Sequence, residues 1–300
     1  MFGLLRSPRA GRPERASDAL VMLGMFAEER GTDSAGIALV TGRPVGGADL
    51  PDGHTGDRNS DLRYAGTHVV KGRGAFSAIW RPDLLAGLDA SPLVIGHTRW
   101  ATQGSPFHLA NASPLIVDGV VATHNGDIEA GDLRALYPLP PATGTTDSEP
   151  MFQLLARRRT PADIAAALST VVGRAALAWT GRGRPDRVHL ARAALSPLTI
   201  AVDTDQNFFW ASNPRWFREL ERHSSIRFAR TAMLREGTYI QVGLRLGRPR
   251  LLAYRTFTPT ARSWDLDDRV WTGFTQADME QDRANLLHRV VAPPLLPTAA

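Results

Sequence analysis

What most restricts the fold of this chain is a succession of short apolar segments separated by turn residues. They run Ser34 to Val40, Leu93 to Gly96, Gly119 to Thr123, Ala175 to Trp179, Arg187 to Ala191, Leu198 to Val202, Phe208 to Ala211 and Thr238 to Val242. Runs this short, rich in aliphatic and aromatic residues, predict buried strands. Helical spacing appears in few places. Leu20, Leu23, Met25, Phe26 and Ala27 predict a helix over Ser17 to Glu29, with Ser17 as its N-cap and Gly31 after its end. A pair follows at Ser148 to Arg158, entered through Thr146, Asp147 and Glu149 in a capping-box-like arrangement, and at Pro161 to Val172, closed by Gly173. One leading helix, many consecutive strands and a helix pair between strand groups predict a layered α+β fold, not alternating βαβ units. Gly42 to Asn59, rich in Gly, Pro and Asp, reads as an excursion from it.

Composition narrows the chemistry. The chain has no cysteine, so disulfides, thiolate metal sites and thiol catalysis are excluded by inventory. Its 35 basic residues against 30 acidic ones give a net charge of +5, and Lys71 is the only lysine. Arginine usage therefore explains the high isoelectric point, and no basic run interleaved with aromatics marks a nucleic-acid surface; no nucleic-acid partner is expected. His97, His108 and His124 do not recur at a metal-ligand spacing, so neither a metal nor a cofactor is expected. Gly72-Arg73-Gly74 and Gly181-Arg182-Gly183 read as turns, and Asp265, Asp267 and Asp268 as a solvated turn. No window approaches the ~18–20 apolar residues of a membrane span, and the start lacks a secretory core. The reading is a soluble, cytoplasmic protein without a membrane partner.

Several polar residues fall at the ends of predicted elements, where rigid backbone can hold a side chain open to a ligand. Arg99 and Trp100 follow one strand, Asn125 and Gly126 another, and Asp147 precedes a helix. Singly they read as a surface stack, a turn and a helix cap. Together they occur in Glu29 to Gly36, Gly96 to Gly104, Asn111 to Pro114, His124-Asn125-Gly126 and Thr146 to Glu149, with weaker matches at Ala191 to Leu198, Asn207 to Asn213 and Glu236 to Thr238. In that order and wording the chain resembles the class II glutamine amidotransferase domain.

The resemblance implies a four-layer αββα N-terminal-nucleophile hydrolase sandwich of two antiparallel sheets over residues 1–243. Residues 244–300 are then a C-terminal extension of a strand, a tryptophan-containing loop, an amphipathic helix over Thr275 to Val291 and a frayed end from Pro293 to Ala300. By the same resemblance Arg99 pairs with a ligand α-carboxylate, where a guanidinium makes two charge-assisted hydrogen bonds. Asp147 accepts from the α-ammonium, Asn125 and Gly126 form an oxyanion hole, Trp100 and Thr102 line the pocket, and Arg30 sits beside the chain start.

The family's nucleophile is an N-terminal cysteine, and its position here is Phe2. The ring is expected to fill the space that a thiol and a carboxamide would share. Gln103 and Ser113 stand where the family often carries histidines. Donors and orientation alone retain ~10³-fold acceleration over water, against the ~10⁶-fold or more of an enzyme. The expected function is therefore a pseudoenzyme that binds glutamine or a similar amino acid, or serves in a larger assembly with a protein partner or as a homo-oligomer. The alternatives are a structural component without ligand, and an active amidotransferase with an unorthodox nucleophile.

Overall fold

The computed structural model describes residues 1–42, 53–55, 59–64, 66–181, 184–262, 265 and 268–287. The first sheet holds β1 (Phe2–Leu5), β2 (Ser34–Val40), β3 (Gly53–Thr55), β4 (Asn59–Tyr64), β5 (Thr67–Arg73) and β6 (Leu93–Arg99). The second begins with β7 (Leu115–Val117), β8 (Val120–Ile128), β9 (Gly173–Gly181) and β10 (Arg187–Arg192), after which the chain returns to the first through β11 (Thr199–Asp203), β12 (Phe208–Ala211) and β13 (Phe228–Met233). The hairpin β14 (Thr238–Arg245) and β15 (Arg248–Thr256) completes the second sheet. Strand orders are β13-β11-β12-β1-β6-β2-β5-β4-β3 and β15-β14-β10-β9-β8-β7.

Helices cover both outer faces. Against the first sheet lie α1 (Pro13–Ala27), α2 (Phe76–Ile79), α3 (Leu85–Ala90) and later α7 (Pro214–His223), burying Leu20, Leu23, Phe76, Leu88, Trp216 and Phe217 with Phe2, Leu4, Ile37 and Phe209. Against the second lie α4 (Ala130–Leu136), α5 (Ser148–Ala156) and α6 (Pro161–Leu168), packing Leu133, Met151, Phe152 and Leu168 on Leu177 and Trp179. Between the sheets Leu5, Ile95 and Trp210 meet Val121, Leu190 and Val242. The fold is thus the expected α+β sandwich of four layers, αββα, of two antiparallel sheets.

Local details differ from the sequence reading. Helix α1 starts at Pro13, a residue suited to a first helical position because it has no N–H to leave unpaired. Ser17 is therefore not the N-cap; it is buried inside the helix, accepting from Arg6 at 2.8 Å and donating to Asp89 at 2.5 Å. The box predicted at α5 does not form either. Glu149 accepts from the backbone N–H groups of Thr143 and Gly144 (2.6 and 2.7 Å), and Asp147 from that of Ile128 (2.9 Å), so both carboxylates brace neighbouring loops and strands. A capping box opens α6 instead, between Thr160 and Asp163.

The expected limit at Gly243 falls within β14, and β15 extends the same sheet, so the extension's strand is an integral edge of the sandwich. The extension's helix is α8 (Gln276–Leu287). Arg182, Gly183, Asp267, most of Gly42 to Asn59 and Pro293 to Ala300 lie outside the described residues. None of the described helices is long and apolar enough to cross a membrane.

One buried carboxylate makes stability depend on pH. Asp203 accepts from the backbone N–H and side-chain amide of Asn207 (2.7 and 2.8 Å), and burial pushes its pKa up to about 6 from 3.8. Because the folded state keeps a proton that the unfolded chain releases, this group's contribution falls as pH rises from about 4 to about 6 and is level above that. The decline is expected to be no more than about 3 kcal/mol. Urea unfolding of Asp203→Asn between those limits should show a flatter pH dependence than the parent, and an unchanged slope would refute the assignment.

Candidate functional site

A single cavity gathers residues from both sheets. Strand β6 delivers His97 and, at its last position, Arg99; β8 delivers Asn125 and Gly126; the turn before α5 delivers Asp147. Arg30, Trp100 and Thr102 line the same cavity, as do Gln103 and Ser113. The seven residues assigned by resemblance to ligand contact therefore face one space. Gly126 has φ +143°, and a Cβ there would stand 2.0 Å from the Arg174 carbonyl, so only glycine allows β8 to lie this close to β9.

Arg99 is buried and incompletely satisfied. One terminal nitrogen donates to the Gln103 and Gly104 carbonyls (2.5 and 3.0 Å); the other has no partner. Burial lowers its pKa, and the nearby Asp147 and Asp33 carboxylates oppose the shift. No ion pair joins Arg99 to Asp147 among the described residues: one Asp147 oxygen accepts from the Ile128 N–H and lies 3.9 Å from His124 Nδ1, and the other accepts from the Ser148 hydroxyl at 3.4 Å. A guanidinium and a carboxylate whose residues line one cavity without closing on each other can receive the opposite charges of a zwitterion.

Asn125 is held tightly. Its Oδ1 accepts from His97 Nε2 at 2.9 Å and from the Met1 ammonium at 3.4 Å, while its Nδ2 donates to Ser212 Oγ at 2.5 Å. His97 Nε2 also reaches the His124 carbonyl, at 3.0 Å, which assigns the ring proton to Nε2 and leaves Nδ1 as a buried acceptor without a partner. Burial lowers the His97 pKa well below its ordinary value, keeping the ring neutral. The Met1 ammonium donates to Ser212 Oγ at 2.9 Å, and burial, then the Arg30 guanidinium, lower its pKa well below the usual range.

Phe2 is the exception. Its ring does not enter the cavity; it faces the helical layer, fully buried, edge-on to Phe76 at 5.4 Å and lying over Gly96, where a Cβ would meet the ring at 2.3 Å. The expectation that it fills the thiol and carboxamide space is corrected. Alternation along β1 sends residue 2 to the same face as Leu4, toward α1, whereas Met1 and Leu5 pack between the sheets.

Sequence reasoning missed Ser212, Glu29, Arg174, Arg269 and Thr272. Glu29 lines the cavity and accepts from Trp216 Nε1 (2.6 Å), Asn213 Nδ2 (3.1 Å) and Arg215. Arg269 and Thr272 come from the C-terminal extension, with the Arg269 guanidinium 5.1 Å over the Trp100 ring. Glu29 and Ser212 lie within the matching stretches Glu29 to Gly36 and Asn207 to Asn213 but had no role assigned there, and Arg174, Arg269 and Thr272 carried no signal.

No family model matches the chain. Sequence relatives do. The chain is 33% identical over 211 residues to glutamine–fructose-6-phosphate aminotransferase (isomerizing) of Pseudomonas syringae pv. tomato, covering 65% of this chain and 30% of that one. The enzyme of the same name from Streptomyces coelicolor is 34% identical over 210 residues, with the same coverage. The chain spans 20% of the Agrobacterium fabrum relative and so corresponds to a minor part of such proteins. Among solved structures, glutamine phosphoribosylpyrophosphate amidotransferase from B. subtilis, complexed with ADP and GMP, superposes with a TM-score of 0.60 at 18% identity, over 86% of this chain and 49% of that one. The allosteric regulatory enzyme of purine biosynthesis gives 0.61 at the same identity. The fold is that of the N-terminal-nucleophile hydrolase sandwich, and the sequence is similar to glutamine-using amidotransferases.

Proposed function

We propose that this chain binds glutamine or a closely related amino acid in the cavity and does not hydrolyse it. The observation that carries the reading is the unpaired arrangement of Arg99 and Asp147 around one space, with a buried guanidinium nitrogen left unsatisfied. A pair retained only for packing would be closed on itself, since a buried charge without a partner is costly. The chain has no cysteine, and residue 2 points away from the cavity. Asn125 holds its amide through His97 and Ser212, which suits a fixed binding wall, with Nδ2 retaining one hydrogen for a ligand.

Isothermal calorimetry with glutamine, glutamate and asparagine tests this. At least one is expected to bind, and Arg99→Ala is expected to weaken binding tenfold or more, since a charge-assisted pair contributes about 1.5–3 kcal/mol. Ammonia release from glutamine should stay near background. No heat with any of the three ligands, or turnover at an ordinary enzymic rate, would overturn the reading.

A purely architectural role finds less support. The C-terminal extension is folded back on its own chain: Arg192 pairs with Asp282, Arg218 with Asp278, and Trp271 packs edge-on against Phe274 at 5.2 Å. An assembly role would need another face.

A further inference from the structure

The end of the sandwich away from the cavity carries a hairpin tip whose residues the fold alone does not explain. Strand β14 starts on the cavity side, where Thr238 pairs with Arg192, Arg192 with Ala176, and Ala176 with Asn125, and it reaches the opposite end at Arg245. Leu246 and Gly247 then turn the chain into β15. Both have positive φ, +51° and +71°. A two-residue turn of this kind favours Asn-Gly, because a short polar side chain tolerates the left-handed conformation and makes local hydrogen bonds. Here the first position is a leucine, and at 86% exposure it is the most exposed large hydrophobic side chain among the described residues.

A second conflict lies beside it. Arg245 and Arg248 are directly paired across the hairpin, and Arg250 pairs with Gly243, so the three arginines share one face. Like charges directly opposite each other destabilise a strand pair. Arg9 joins them from the N-terminal loop: Ser7 Oγ donates to the Gly247 carbonyl at 2.6 Å, and a Cβ on Gly247 would stand 2.7 Å from Arg9 Cγ. Arg9, Arg245 and Arg248 are exposed, and among the described residues none of their side chains has a hydrogen-bond or ion-pair partner. Of the carboxylates on adjoining segments, Asp186 is taken by Arg187 at 2.8 Å and Asp203 is buried against Asn207, which leaves Asp205 and, in the first turn of α1, Glu14.

A projecting apolar side chain flanked by unpaired guanidiniums is unfavourable in water and matches a layered surface, with anionic headgroups for the cations and an apolar layer beneath them for the leucine. A nucleic-acid backbone would engage the arginines and leave Leu246 in water. We propose that this tip, Leu246 with Arg9, Arg245 and Arg248, docks the protein on an anionic lipid surface. The contact is peripheral and involves no spanning segment; the expectation of no membrane partner was drawn from the absence of an apolar span. With the tip on the bilayer, the cavity at the other end of the strands stays open to solution.

Cosedimentation of the full chain with large unilamellar vesicles tests this, comparing phosphatidylcholine alone with phosphatidylcholine containing about 30% phosphatidylglycerol. At about 0.05 M salt the anionic vesicles are expected to bind about tenfold tighter than the neutral ones, and at about 0.5 M that advantage should be mostly lost. Arg245→Gln combined with Arg248→Gln should cut affinity about twentyfold, each cation near such a surface contributing about fivefold. Leu246→Asn should cut it about threefold while leaving Tm unchanged or higher, because asparagine suits the turn; damage to the fold would lower both. No binding to anionic vesicles, equal binding to both kinds, or an affinity untouched in Leu246→Asn overturns the proposal. Capture of a duplex DNA oligonucleotide by parent and Leu246→Asn alike, without vesicle binding, overturns it in favour of a nucleic-acid surface.

Discussion

Replacing Phe2 with alanine is expected to lower stability by about 3–5 kcal/mol, measured by urea unfolding. The ring is fully buried at the centre of the first sheet, where Phe2 pairs with Gly96 on one side and Ala211 on the other. It fills the space above Gly96, meets Phe76 edge-on, and belongs to the cluster of Leu20, Leu23 and Phe217. Strands on both sides and helices above leave the site little room to collapse, so the void adds to the lost transfer energy. Phe2→Cys is expected to behave similarly, because a thiol fills only a small part of the ring's volume. It is also expected to release no ammonia from glutamine, since the sulfur at this position would face α1 and not the cavity. A cysteine variant of parental stability, or one that acquires turnover, would show that residue 2 can present its side chain to the cavity after all.

The same alternation explains what the sequence disclosed and what it hid. Strands such as Leu93–Arg99, expected over Leu93 to Gly96, and Thr199–Asp203, expected over Leu198 to Val202, were legible in outline because turn residues bound continuous apolar runs. The class and layering followed from their number and from the placement of the helices. Phe2–Leu5 was not legible as a central strand: four residues buried on both faces carry no period. Asn59–Tyr64 was hidden by its polarity, being near the sheet's edge and only partly buried. Helix α7 had its signals in place, Asn213 capping Arg215 and Pro214 at the first position, but its apolar face is only Trp216, Phe217 and Leu220 amid charges.

In the site, Arg99, Asn125, Gly126 and Asp147 could be singled out as element ends, and the family wording supplied their roles. Arg269 had no such signal, and Ser212 lay in a stretch, Asn207 to Asn213, that matched the family only weakly and gave it no role. Their relevance arises only when residues far apart in sequence are brought together, as Ser212 is with Met1 and Arg269 with Trp100. The orientation of Phe2 was equally invisible, because position in an alignment says which residue replaces a nucleophile and not which way its side chain turns.

Asp282→Ala is expected to have an effect of similar size but a different character. Arg192 is fully buried and gives both terminal nitrogens to Asp282, one of them also to the Leu234 carbonyl at 2.8 Å; Glu236 lies 3.6 Å away. Removing one partner of such a pair costs about 3–5 kcal/mol when the remaining charge stays buried. Here it need not stay buried. Helix α8 lies at the end of the described chain, and its departure would let water reach Arg192 while the two sheets keep their cores. The loss is therefore expected to show as local release: trypsin should cut Asp282→Ala after residue 262 faster than the parent, with the sandwich still melting cooperatively. Because the same segment carries Arg269 to the cavity mouth, where its guanidinium stacks on Trp100, amino-acid affinity should fall along with protease resistance. Replacing the pair together, Arg192→Met with Asp282→Leu, is expected to restore both, since a buried ion pair exchanged for apolar groups of similar volume is often neutral or stabilising. If Asp282→Ala keeps the segment protected and the ligand affinity intact, the pair does not hold the segment in place, and the coupling of α8 to the cavity through Arg269 fails with it.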